Sequence, residues 1–410
     1  MSAIVDVVLG IVTSIGGFIE VGSLSTSAQA GAEFGYQLLW AIGIATVMLA
    51  VMVEMSGRLA AVSRRTIAAA VRERFGISYQ WVPLAAELAI DTLLLAAEIG
   101  GAAIAIKLLT GIGFLWWVIP IGIVVWLILA TVGFSVIEYG FGLLGLVTLC
   151  FVYAAYRLQP STHDLVRSLA PTLPRHDVVR YAFLSVSILG ATLSPYLLNF
   201  YSSGTVEEKL TERELWVNRT TAYLGMCFGG VVSMAVLVTS ATVLGSKHIS
   251  VDSYDQAALM LLPVFHRWGI GLFACSLGIG CLGAAVEIAL NAGYAFSQAL
   301  GWSWGANKPR REVARFSAAF TVVTIAGVAI ALIGFDPLRL TMISLALTVV
   351  IMPAIVLPFL ALMNDDRYVK SHRTGPIGNA FLAALTVEGA LLAIIIFPLE
   401  IFCGRTAPGP

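Results

Sequence analysis

The chain has 410 residues, of which 59% are hydrophobic and 12% charged, and its mean hydropathy is +0.90. A soluble domain carries about 25% charged residues, so a soluble globular protein is excluded. Lys and Arg (24) balance Asp and Glu (24), and the zero net charge leaves no electrostatic footprint for nucleic acid. Apolar runs of roughly twenty residues predict an all-α integral membrane protein, since barrel strands would alternate over about ten.

Hydropathy predicts eleven spans in chain order: 5–35, 36–62, 81–109, 113–134, 137–156, 179–206, 214–245, 268–300, 312–335, 338–363 and 376–403. Connections are short, with 157–178 and 246–267 the longest, so residues 1–410 read as one transmembrane domain. Placing the N-terminus in the cytoplasm and the C-terminus outside puts fifteen Lys and Arg residues inside and nine outside, as the positive-inside bias requires. No basic region precedes the first apolar run, so no cleavable leader is expected. The five cysteines lie mostly within apolar runs and have neither CxxC spacing nor a disulfide framework. No histidine pair has metal-ligand spacing.

The first span is interrupted. Val7 to Ile19 is thirteen residues, a rise of roughly 20 Å against a hydrocarbon core of about 30 Å. It must continue through Glu20 and the Gly22-Ser23 step as a broken helix with an acid at the break. A charged group at mid-membrane depth costs about 2.5–3.5 kcal/mol on insertion scales and so marks function by default. The sixth span carries Gly190-Ala191-Thr192-Leu193-Ser194-Pro195-Tyr196. Pro195 removes a backbone donor and clashes with the preceding turn, so this helix unwinds as well. Two broken helices five spans apart point to two inverted five-helix repeats, 1–156 and 179–363, with 376–403 as an additional eleventh helix.

Seven acids fall within spans: Glu20, Glu54, Glu87, Asp91, Glu98, Glu287 and Glu388. The nearest bases, Lys107, Arg58 and Arg180, sit near predicted span ends, where long side chains reach water. A buried carboxylate without a fixed partner is neutral, hydrated or matched by a mobile cation. Glu87, Asp91, Leu95 and Glu98 share one helical stripe. They read either as a proton or water path or, for Glu87 and Asp91, as the lining of a wet vestibule. Ser194 and Tyr196 flank the second break, either as oxygen ligands or as a backbone-bonded Ser and a packed Tyr. Glu287, amid Gly and Ala in the eighth span, is a second acid able to approach the breaks. Gly225 and Gly229 form a GxxxG pair suited to close helix packing.

Several stretches resemble the Nramp metal-ion transporters. They are Gly17 to Ser23, then Ser25 to Trp40 with its AGAEFGYQLLW run, Ser56-Gly57-Arg58-Leu59, Glu98 to Ala105, and Leu189 to Thr192 with Pro195. The resemblance implies a LeuT-type fold and, usually, proton-coupled uptake of Mn²⁺ or Fe²⁺. It also implies that Glu20 and Ser23 stand where the family has a metal-binding Asp and Asn. Ser194 stands at the thioether ligand, Tyr196 at a His linked to proton movement, Leu95 at an Asp, and Ile351 at a Gln ligand. With sulfur gone and oxygen kept, the donors suit Mg²⁺ or Mn²⁺ better than softer metals.

These features lead to a secondary transporter of a divalent, oxygen-preferring cation in the plasma membrane, with Glu20, Gly22, Ser23, Ser194, Tyr196 and Glu287 near the substrate. Expected partners are that cation, carried as substrate with no resident cofactor, and the lipid bilayer; the sequence leaves the oligomeric state open, a monomer included. An enzyme is not expected, because no nucleophile–base pair or phosphate loop is present. The same fold also accommodates transport of an organic cation or amino acid, with Glu20 pairing an ammonium and Tyr196 stacking on it. A third alternative is a non-transporting sensor with a closed site.

Overall fold

The computed structural model describes residues 21–391 apart from 173, 175 and 176. The start of the first span, including Glu20, and the end of the eleventh lie outside the described residues. The α-helices are α1 (Val21–Phe34), α2 (Leu39–Ser63), α3 (Ile67–Phe75), α4 (Ile77–Thr110), α5 (Leu115–Thr131), α6 (Phe134–Gly145), α7 (Leu149–Arg157), α8 (Thr162–Arg167), α9 (Val178–Thr192), α10 (Pro195–Glu207), α11 (Leu215–Val243), α12 (Tyr254–Ala258), α13 (Leu262–Phe265), α14 (Gly269–Leu300), α15 (Ala314–Leu332), α16 (Pro337–Leu362), α17 (Asp366–Val369) and α18 (Pro376–Leu391).

Among the described residues, eight helical stretches are long and apolar enough to cross a membrane, α9 and α10 forming one of them across a break. Two shorter apolar helices, Leu115–Thr131 and Pro376–Val387, accompany them. Local chemistry sets the ends. Thr66 caps α3 by accepting from the Ala69 N–H, Asp177 caps α9 through Arg180 N–H, and Asp336 caps α16 just before Pro337. Gly111 and Gly301 close α4 and α14 with φ of 74° and 71°, a conformation a side chain would disfavour.

The centre of the bundle is the long pair α4 and α14, with α15, α16, α10 and α1 packed around it. Small residues let these helices approach. A Cβ on Gly101 would lie 2.7 Å from Cys281 Sγ, and one on Gly31 of α1 would lie 2.3 Å from the Leu237 carbonyl of α11. Trp116, Ile119 and Ile123 of α5 and Val322 and Ile325 of α15 are exposed, as lipid-facing surfaces require.

Contacts between loops define two ends of the bundle. At one end Arg64 reaches the Lys209 carbonyl, Arg72 the Gln298 carbonyl, Arg74 meets Asp365 and Arg310 the Leu129 carbonyl. At the other end Lys107 meets Asp255, Arg180 meets Glu33, and Gln29 donates to the Val251 carbonyl. This is the grouping that hydropathy and charge predict for opposite membrane faces.

Candidate functional site

The first element of the site is the N-terminus of α1. The described part of α1 begins at Val21, and the N–H groups of a helix's first turn are a natural anion site. Glu98 of α4 fills it: its Oε1 and Oε2 accept from the Val21 N–H at 3.1 and 3.4 Å, with both residues buried. Ser25 and Thr26 donate their hydroxyls to the Gly22 carbonyl at 3.1 and 2.8 Å. Gly22 is therefore helical, and its carbonyl is engaged within α1. Ser23 is buried in the same first turn. Glu20 falls outside the described residues.

The second element is the break between α9 and α10. Leu193 (φ −101°, ψ 37°) and Ser194 (φ −59°, ψ 129°) leave the helical path, and Pro195 restarts it. Pro195 has no N–H to offer the carbonyl of Ala191 four residues earlier. The buried Ala191 carbonyl is thus a hard-oxygen candidate that the sequence reading passed over, although its spacing from the proline could have revealed it. The Ser194 hydroxyl donates to the Gly190 carbonyl at 3.3 Å, and its own carbonyl accepts from Leu197 N–H at 3.1 Å. Tyr196 is fully buried in the first turn of α10. α1 packs directly against α9, so the two helix ends belong to one region.

The third element is a buried polar network between α4, α10 and α14. Asn199 Nδ2 donates to both oxygens of Glu87, at 2.7 and 2.8 Å. Asn291 Nδ2 donates to Glu87 Oε1 and to Asp91 Oδ2, each at 3.0 Å. All four side chains are at most 5% exposed. The two asparagines were not singled out from the sequence, since a neutral amide in an apolar run carries no charge signal. Glu287 is buried in α14, one turn before Asn291. The antiparallel register that sets Cys281 beside Gly101 and Asn291 beside Asp91 puts Glu287 at the level of Leu95, between Asp91 and Glu98. One file of acids thus runs from the start of α1 along the α4–α14 seam.

Glu54 and Glu33 have resident cationic partners. Glu54 lies 3.3 Å from Arg58 and 3.9 Å from Arg219, so it is not a carboxylate awaiting a mobile cation. Arg180 does not simply reach to water. Its guanidinium pairs with both oxygens of Glu33 at 2.8 and 2.7 Å and touches Gln29 Oε1 at 3.3 Å, tying α1 to α9. Among the described residues no three His, Cys, Asp or Glu side chains form a metal-holding group. A cavity of about 350 Å³ lies to one side, between α6, α10 and α11, lined by residues that include Phe134, Tyr201, Glu208 and Glu214.

The family model for Nramp, Natural resistance-associated macrophage protein-like, matches residues 10–398. A protein named divalent metal cation transporter MntH from Erwinia tasmaniensis is 33% identical over 277 residues. That alignment covers 64% of this chain and 64% of the relative. Another of that name from Klebsiella pneumoniae is 32% identical over 271 residues, again covering 64% of each chain. The chain thus spans less than two thirds of the length of these relatives. The solved manganese transporter of Eremococcus coleocola, in complex with an aromatic bis-isothiourea substituted compound, superposes with a TM-score of 0.79 at 19% identity. The match covers 99% of this chain and 89% of that one. Mhp1, a nucleobase-cation-symport-1 family transporter in a closed conformation, gives 0.63 at 13% identity over 97% of this chain and 93% of its own. These likenesses establish the LeuT-type fold.

Proposed function

This chain belongs to the Nramp family, and on that premise we propose that it is a secondary transporter of a divalent cation that prefers oxygen ligands, Mg²⁺ or Mn²⁺, working by alternating access. The names of the MntH relatives support the divalent cation. The observation that carries the reading is the unwound Leu193–Ser194 step before Pro195, which leaves the Ala191 carbonyl without its helical donor next to the start of α1. Glu20 supplies the central charge, with Ser23 from the first turn of α1 and the Ala191 carbonyl and Ser194 from the break before α10. Tyr196 and Glu287 border the region. No sulfur ligand belongs to this set, so Cd²⁺ competes poorly while Mg²⁺ and Mn²⁺ are carried.

Glu98 anchors α1 and, with Glu287, Asp91 and Glu87, forms a protonatable file that water or protons follow. Orientation is cytoplasmic for the N-terminus, with the arginine-rich end of the bundle inside the plasma membrane. The halves 1–156 and 179–363 rock against each other. Uptake into proteoliposomes tests the reading with a panel of Mg²⁺, Mn²⁺, Ca²⁺ and Fe²⁺. Flux of Mg²⁺ or Mn²⁺ that collapses in Glu20→Ala is expected; no flux of any of them, or undiminished flux in that variant, refutes it.

A further inference from the structure

Resting on the proposed transport of divalent cations, we propose that Glu87 and Asp91, together with Asn199 and Asn291, form a second cation-holding station on the arginine-rich side of the helix breaks. Glu87 Oε1 and Asp91 Oδ2 each lie 3.0 Å from the same Asn291 nitrogen, so they are no more than about 6 Å apart. Two buried carboxylates so close do not both stay ionised without a cation or a proton between them. Two neutral amides, Asn199 and Asn291, donate to Glu87, and among the described residues it has no ion pair.

A second, independent feature points to a ligand. Among the described residues, Asn291 Oδ1, in a fully buried residue whose nitrogen bridges both acids, has no hydrogen-bond partner. The same holds for Gln298 Oε1, two turns further along the same face of α14, and for Gln80 Oε1, two turns before Glu87 on α4. Uncompensated buried acceptors are costly and rare. Asn291 Oδ1 beside the two acids, with the other two acceptors further along the same seam, supplies the oxygen that a hard cation would satisfy.

The asparagine amide suits both states of such a station. Without the ion, its NH₂ end holds the two carboxylates, as seen here. With the ion, half a turn about its last side-chain bond presents Oδ1 as a ligand, while the carboxylates close to about 2.1–2.5 Å from the metal. The station is covered at the arginine-rich end by α3. Its Arg72 donates to the Gln298 carbonyl at 2.9 Å, and its Ile67 N–H meets Ser202 Oγ at 3.3 Å. A cation released from the breaks is therefore held before α3 lets it out.

The test counts Mn²⁺ bound to the purified full-length chain by the loss of the free-ion paramagnetic resonance signal. Two ions per chain are expected in the wild type. One is expected in Glu20→Ala, and one in the nearly isosteric double variant Glu87→Gln/Asp91→Asn. A double variant that binds as many ions as the wild type, with the same affinities, overturns the station. Should that variant misfold, carbodiimide labelling of Glu87 and Asp91 in the Glu20→Ala chain, followed by peptide mass spectrometry, decides the matter. Mn²⁺ is expected to slow labelling by about fivefold or more, and equal rates with and without it reject the proposal. Because labelling is read where Glu20 is absent, it is separate from the flux test of the central site.

Discussion

Glu98 offers the sharpest quantitative test of how the first break is built. Its carboxylate meets the N-terminus of α1, which carries roughly half a positive charge, through the Val21 N–H at 3.1 and 3.4 Å. At about 4 Å and an effective dielectric near 20, a full negative charge against that half charge is worth about 2 kcal/mol. Glu98→Gln keeps an acceptor and loses the charge term. Glu98→Ala loses both and leaves a buried N–H unsatisfied, which adds about 1–3 kcal/mol. Global stability is a poor readout, because either change also relieves the desolvation of a buried acid. Local opening of the first turn is the better one. At 1.4 kcal/mol per factor of ten, a 2 kcal/mol loss speeds amide exchange by roughly thirtyfold. Hydrogen–deuterium exchange of peptides covering residues 21–26 measures it, with Ala faster than Gln and Gln faster than wild type. Flux should fall in the same order. Exchange in Glu98→Ala indistinguishable from wild type would mean that the carboxylate does not hold α1, and the reasoning fails.

Other consequences are simpler. Glu33 and Arg180 form a two-pronged pair, 24% and 29% exposed. A double-mutant cycle of their alanine variants, read by thermal unfolding, should give a coupling of about 1 kcal/mol after allowance for solvent screening; additive effects would remove the clamp between α1 and α9. A Cβ on Gly190 would lie 2.4 Å from the Leu345 carbonyl, a backbone atom that cannot step aside. Gly190→Ala should therefore cost about 1–3 kcal/mol and depress flux, checked by unfolding midpoint and uptake. Glu54 already has Arg58 and Arg219 beside it, so Glu54→Gln should lower the unfolding midpoint while the apparent KM for Mn²⁺ stays within about twofold. A much larger KM change would return Glu54 to the transport path.

Much was legible in the chain itself. Span boundaries followed from hydropathy because lipid forces every backbone group into an internal hydrogen bond, which makes an apolar run a helix whatever its neighbours. The edges of α4 and α14 differ from the predicted spans by only a few residues. The second break followed from Pro195, whose missing N–H acts locally. The division of arginines between two ends followed from counting alternations.

Pairing was another matter. Glu54 and Arg58 are four residues apart and readable as one face of a helix, yet the place of Arg58 near a span end hides it among side chains that reach water. Glu33 and Arg180 are far apart in sequence, and only the packing of α1 on α9 brings them together. The carboxylate that meets the Val21 N–H is delivered by α4, so no local signal in the first span could reveal it. Asn199 and Asn291 acquire meaning only through the antiparallel register of α4 and α14, which close contacts such as Gly101 on Cys281 fix. Composition and periodicity act along the chain and are read from it directly. Which buried acid faces an amide, an arginine or a helix end is decided by side chains meeting across helices, and such meetings exist only once the bundle has closed.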